Sequence, residues 1–271
     1  MEKANPNLGV TIKLDYFKQK CASAQEMPSA ENTFKRLHLN IWTEQATRWI
    51  PIERWDACAK AVNVGELEGV PCFAGLDLSS TLDVTALNLT IPVDGRYKQL
   101  WRFWIPEENI AQRVRRDRVP YDLWVRQGYI KATEGNVVDY EVVRADINQL
   151  REEFNIRQIA YDPWSATQLA TQLQGDGFEM VPFRQGFASM SPAAKEFEKL
   201  VLGRKIDHGG NPVARWMMSN ISVEMDAAGN IKPSKKRSTE KIDGIVAAIM
   251  AVGRSALQQE EPEYDGSLLV V

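Results

Sequence analysis

The chain has 271 residues, 44% hydrophobic and 25% charged, with 33 Lys+Arg against 36 Asp+Glu for a net charge of −3. That size supports one large domain, or one domain with a smaller appendage, and the composition is that of an ordinary globular chain. The near-balanced charge excludes bulk attraction to nucleic acid, and no apolar run approaches the ~20 residues of a membrane-spanning helix. Three cysteines (Cys21, Cys58, Cys72) with no CxxC pair read as buried, reduced thiols. Met1–Pro6 shows no signal-peptide pattern, so a cytoplasmic setting is expected.

Residues 1–70 read as a mostly helical or irregular appendage, with Pro51 at a plausible helix start and no cluster of chemically active groups. The texture changes at Pro71. Cys72–Ser79, Val84–Pro92 and Tyr97–Ile105 are strand-like runs, the last two joined by Val93-Asp94-Gly95-Arg96, a hairpin signal. Pro106-Glu107-Glu108 then opens a helix, and Tyr121–Gly128 forms a short one stopped by glycine. Val142, Val143, Ile147, Leu150 and Phe154 have helical spacing; Ile156–Tyr161 is a buried-strand pattern ending at Asp162-Pro163-Trp164. A helix over 166–173, a strand over 178–183 and a helix over 193–202 continue the alternation. Residues 227–232 form a hairpin. Ile242, Ile245, Val246, Ile249 and Met250 then mark an amphipathic last helix, with Ser238 as its expected N-cap. Gln258 onward is an acidic tail.

A three-strand antiparallel meander, then αβαβα and a final helix, is the element order of a ribonuclease H-like α/β fold: a mixed sheet of antiparallel and parallel strands flanked by helices. The expected division is a junction segment over 1–70, the domain over 71–257 and the tail over 258–271.

Three acids hold conspicuous places in that order. Asp77 lies inside an apolar strand, where a charge is costly unless paired or bound to a metal. Asp162 ends the strand expected beside it, and Asp243 opens the last helix. Ligands in α/β sheets gather at the carboxyl ends of parallel strands, so the three are expected to share one pocket. Three carboxylates so close need cations, and Mg²⁺ or Mn²⁺ prefers such oxygen donors. Two ions would suit phosphodiester hydrolysis. The competing reading is that each Asp merely caps a turn or helix. Asp83, across the Ser79-Ser80-Thr81 turn, reads equally as an accessory ligand or a turn cap; Asp207 and His208 read as a cleft lining or as structural residues. Lys232, Lys235, Lys236, Arg237 and Lys241 put five basic groups in ten residues just before Asp243, a position that favours phosphate contact over a solvated face. The other basic run, Arg113–Arg118, carries no such positional argument. Trp164 reads as core rather than as a base-stacking platform.

Gly75-Leu76-Asp77-Leu78-Ser79-Ser80-Thr81-Leu82-Asp83, Val119-Pro120-Tyr121-Asp122 with Trp124, Tyr161-Asp162-Pro163-Trp164, Arg184-Gln185-Gly186, Gly229-Asn230-Ile231-Lys232-Pro233 and Lys241-Ile242-Asp243-Gly244 together resemble the large terminase subunit of tailed bacteriophages and prophages. The likeness spans essentially the whole chain and is densest from about 70 to 255. Each motif is weak alone; their ordered set is specific. That family joins a packaging ATPase to a ribonuclease H-like nuclease, and this chain has no Gly-x-x-x-x-Gly-Lys-Ser/Thr phosphate loop, so the resemblance implies the nuclease part without the motor. It further implies metal-dependent endonucleolytic cutting of concatemeric double-stranded viral DNA. Asp77, Asp162 and Asp243 match the metal-binding catalytic triad, and Asp83 an accessory acid. The implied partners are DNA, the portal protein, the small terminase subunit and, in some relatives, an HNH endonuclease. Two alternatives remain at this point. One is an actin-like or sugar-kinase-type ATP-binding domain, suggested by Gly75–Thr81 but lacking a second phosphate loop. The other is a non-catalytic DNA-binding packaging module.

Overall fold

The computed structural model describes residues 4–26, 34–35, 37–41, 49–78, 84–108 and 110–260. Helices α1 (Leu14–Glu26) and α2 (Ile52–Asp56) and a 3-10 turn (Val64–Leu67) precede the sheet. Strands β1 (Pro71–Asp77), β2 (Thr85–Val93) and β3 (Arg96–Pro106) form the expected meander. The β2–β3 turn is carried by Asp94 and Gly95, both at positive φ, the backbone that a two-residue hairpin requires. The chain continues through α3 (Ile110–Asp117), α4 (Tyr121–Arg126), β4 (Lys131–Thr133), α5 (Tyr140–Glu153), β5 (Asn155–Tyr161), α6 (Pro163–Gly175), β6 (Met180–Pro182), α7 (Phe187–Leu202), β7 (Ile206–Asp207), α8 (Pro212–Asn220), β8 (Val223–Met225), β9 (Ile231–Pro233) and α9 (Asp243–Glu260).

The main sheet runs β4-β3-β2-β1-β5-β6, with β7 added to β3, and is mixed: β1–β2–β3 antiparallel, β1–β5, β5–β6, β3–β4 and β3–β7 parallel. The ribonuclease H-like α/β reading holds. Successive strand residues face opposite sides, and each side has its own core. Cys72, Ala74, Leu76, Leu87 and Leu89 pack with Val143, Ile147 and Leu150 of α5 and with Leu169 and Leu173 of α6. On the other side Ala86, Phe103 and Ala160 meet α9 and α7. That second core reaches N-terminally of residue 71: Trp49 stacks on Phe197 of α7, and Trp55 stacks on His208.

Several elements depart from the sequence pattern. The last helix begins at Asp243, not after Ser238, whose hydroxyl donates to Ser234 O and accepts from Ser222 N, closing the loop behind the β8–β9 hairpin. Nor is α9 amphipathic over its first part. Residues 242–253 are all buried, because the helix lies between β1, β2, α7 and α8, and a helix buried on every side is apolar on every side. Glu107 and Glu108 precede α3 rather than entering it. In the basic run of α3, Arg113 is buried with its guanidinium over the Tyr121 ring. Cys58 and Cys72 are buried as expected and Cys21 is half-buried; burial pushes the Cys72 thiol up to about 12. No helix among the described residues is long and apolar enough to cross a membrane.

Candidate metal and nuclease site

The site follows from one close approach. Gly75 faces α9, and a Cβ there would lie 1.9 Å from Ala247 O. Only glycine lets the strand and helix backbones meet this closely. Asp77 lies two residues further along β1, about 6.6 Å. Asp243 lies four residues back along α9, about 6 Å. The contact at Gly75 therefore brings the C-terminal end of β1 to the N-terminal end of α9, and the two acids with it. Both are buried, Asp77 at 2% exposure and Asp243 at 1%.

A lysine stands between them. Lys235 Nζ donates to Asp243 Oδ1 at 2.7 Å and is 3.0 Å from Asp77 Oδ2. The second contact is an ion pair without hydrogen-bond alignment, and Oδ2 of Asp77 has no hydrogen-bond partner among the described residues. Asp77 Oδ1 accepts from Gln185 Nε2 at 3.1 Å. Burial, partly offset by Lys235 and reinforced by Asp243, pushes the Asp77 carboxyl up to about 6. Burial by itself would lower Lys235, but Asp77 and then Asp243 outweigh it and hold the ammonium well above its ordinary range. Two carboxylates share one cation.

Asp162 is at the same end of the sheet. Leu76 of β1 pairs with Tyr161 of parallel β5, so Asp77 and Asp162 each follow the last paired residue. Its carboxylate is turned to its own helix, however: Oδ1 caps α6 by accepting from Trp164 N at 3.1 Å. The expected pocket of three converged carboxylates is thus a close pair, Asp77 and Asp243, with Asp162 at the neighbouring strand end. Among the described residues no group of three or more His, Cys, Asp or Glu is gathered as a metal cluster. Asp83 and the Ser79-Ser80-Thr81 turn lie outside the described residues.

The donors that are present fit a hard divalent cation: carboxylate oxygens, one of them buried and without a hydrogen bond, in a site with more negative than positive charge.

The basic segment divides. Lys232 and Arg237 each lie 3.8 Å from Glu224 of β8, and Lys232 also sits over the Phe187 ring. Lys236 is exposed, and Lys241 is partly exposed. Lys235, expected among the phosphate contacts, is instead engaged by the acids. Asp207 and His208 do not line this cleft. Asp207 of β7 pairs with Arg96 and Lys98 of β3, and β7 joins β3 at Tyr97 and Lys98, the opposite end from Phe103, which lies across β2 from Asp77. His208 is buried, with Nε2 2.8 Å from Trp55 O. Trp164, in the first turn of α6, is 93% exposed, so the core reading fails. The sequence reading gave Gln185 no role in the site, and it did not foresee Lys235 bridging the acids. The Arg184-Gln185-Gly186 motif was a signal for the first; the second had none beyond proximity to Asp243.

A mixed sheet of this order, with buried acids at the end of its central strand and at the start of the helix crossing it, defines a ribonuclease H-like domain. The family model for the terminase large subunit endonuclease domain matches residues 1–260, and the chain belongs to that family. It is similar to the large terminase subunit of Enterobacteria phage HK97, 37% identical over 254 residues, covering 92% of this chain and 50% of that protein. Protein YmfN of Escherichia coli (strain K12) is 31% identical over 274 residues, covering 96% and 60%. The crystal structure of the HK97 large terminase superposes with a TM-score of 0.72 at 36% identity, over 93% of this chain and 53% of that one. The chain thus spans about half the length of the relatives it matches.

Proposed function

We propose that the protein is the metal-dependent DNA endonuclease of a viral genome-packaging terminase, cutting concatemeric double-stranded DNA by phosphodiester hydrolysis. The observation that carries this reading is the buried Asp77–Asp243 pair sharing a single cation at the carboxyl end of the central strand, in a chain of the terminase endonuclease family. Asp77, Asp162 and Asp243 would hold Mg²⁺ or Mn²⁺, with Asp83 as accessory acid. When bound, two such ions supply an activated water and neutralise charge on the leaving oxygen.

The chain's own residues do the rest. Gln185 fixes Asp77 through Oδ1, while Oδ2 faces the Lys235 ammonium. Asp162 reaches the site by releasing the Trp164 amide. Lys232, Lys236, Arg237 and Lys241 are the proposed phosphate contacts that orient the backbone. Residues 1–70 would be the junction to a motor domain, 71–257 the nuclease domain and 258–271 an acidic tail. The proposed partners are DNA, the portal protein, the small terminase subunit and, as in some relatives, an HNH endonuclease, with the host cytoplasm as the setting.

Plasmid cleavage tests the reading. Cutting in Mg²⁺ or Mn²⁺ is expected to stop with EDTA and to fall at least about a hundredfold in Asp77→Asn, the order lost when a major electrostatic contributor to a transition state is removed. A folded protein that cuts nothing with any divalent ion, or an Asp77→Asn variant as active as wild type, refutes it. The first outcome would favour the non-catalytic module.

A further inference from the structure

The arrangement at Lys235 carries one inference that rests on the metal-site reading. We propose that Lys235 is a resident counter-cation competing with a divalent ion for Asp77 and Asp243, so that the site takes up metal only as the ammonium leaves, and that a DNA phosphate is the acceptor that draws it away.

The geometry supports each part. The ammonium contacts both carboxylates, at 2.7 and 3.0 Å, and so stands where an ion bridging the same two acids would have to bind. In the pocket of two carboxylates that the structure shows, charge disfavours both occupants together. Two carboxylates and Lys235 sum to −1, the same carboxylates with a divalent ion sum to zero, and with both cations the pocket would be positive while the cations lay at contact distance. A buried site penalises that last state most heavily.

Lys235 can leave without unfolding anything. Its loop is held at both sides, by Ser234 N to Ser222 O at 2.9 Å, by Ser238 Oγ to Ser234 O at 2.7 Å and by Thr239 Oγ1 to Asn220 Oδ1 at 3.2 Å. The side chain itself is 46% exposed. Only rotamers of a long, flexible side chain need change. Its neighbours point to what receives it. Lys236 is exposed next to it, and Lys232 and Arg237 flank the segment, so a polyanion lying on this loop would offer oxygens to Lys235 beside the pocket it vacates. Metal loading and DNA contact would then be coupled, and DNA lying across the site would strengthen metal uptake.

The test is Mn²⁺ binding by isothermal titration calorimetry at fixed pH, without DNA, on wild type, Lys235→Gln, Lys235→Arg and Asp77→Asn, each checked for folding by circular dichroism. Lys235→Gln is expected to bind Mn²⁺ at least tenfold more tightly than wild type. Lys235→Arg, whose guanidinium can fork between both acids, is expected to bind several-fold more weakly, and it keeps the proposal testable if the Gln variant misfolds. A short duplex DNA should tighten Mn²⁺ binding to wild type and have less effect on Lys235→Gln. If binding is abolished by Asp77→Asn yet unchanged or weakened by Lys235→Gln, the lysine is a scaffold for the acids; the inference falls and the metal site stands. If no variant shows Asp77-dependent Mn²⁺ binding, both fall.

Discussion

Two buried aspartates sit at opposite ends of the same sheet, and their surroundings are close to mirror images in charge. Asp207 is one carboxylate held by two cations, Arg96 and Lys98, and hydrogen bonding from Arg96, assisted by Lys98, lowers its carboxyl to about 2. Asp77 belongs to two carboxylates held by one cation, and burial raises it to about 6. Burial is nearly the same at both, 1% and 2% exposure. Desolvation together with charge stoichiometry separates a structural ion pair from a site short of positive charge. The far end is complete in the folded chain. The near end carries one more carboxylate than cation.

Substitutions can break this contrast. The largest effect is expected at Gly75→Ala, where the new Cβ would meet Ala247 O at 1.9 Å. Forcing β1 and α9 apart there should cost about 3 kcal/mol or more, since overpacking against backbone has little room to relax, and should separate Asp77 from Asp243. Thermal unfolding measures the first and Mn²⁺ affinity the second. Next is Asp207→Asn, expected to lose about 2 kcal/mol at neutral pH, the linkage equivalent of a carboxyl lowered from 3.8 to about 2. That stabilisation is fully present above pH 3.8 and is lost as pH falls through about 2, so the variant should differ from wild type least at the acid limit of a urea-denaturation series.

Asp77→Asn should act in the opposite direction on stability. With its carboxyl raised, the folded protein keeps a proton that the unfolded chain releases above 3.8. Metal-free wild type is therefore expected to lose stability as pH rises from 3.8 through about 6, and to stay level above that. The Asn variant should lack this fall and be more stable by about 1 kcal/mol at pH 8 in EDTA, because it removes a buried charge at the cost of one ion pair. A variant that abolishes cutting while stabilising the fold is the behaviour of a functional site. The smallest effect is expected at Trp164→Ala, within about 0.5 kcal/mol, because a side chain 93% exposed has little packing to lose.

Much of this was legible in the chain. The meander, the Asp94-Gly95 turn and the order of strands and helices follow from local pattern and turn chemistry, and the positions of Asp77, Asp162 and Asp243 in that order put them at one end of the sheet. Side-chain direction was not legible. Asp162 is at the predicted strand end, yet its carboxylate satisfies the Trp164 amide, a local bond that competes with any long-range one. Ser238 looked like a cap because the hydroxyl that serves Ser222 and Ser234 is indistinguishable in sequence from one that starts a helix. Lys235 looked like one charge in a basic run because its partners lie 8 and 158 residues away. Strands β4 and β7, of three and two residues, are too short to carry a period.

The central claim is that the Asp77–Asp243 end of the sheet lacks a cation that the Asp207 end already has. Anomalous diffraction from crystals soaked in Mn²⁺ addresses it directly. The expected result is a peak in contact with both Asp77 and Asp243, Lys235 Nζ withdrawn from between them, and no peak at Asp207. Lys235 still bridging the two acids, with no Mn²⁺ bound to either, would contradict it.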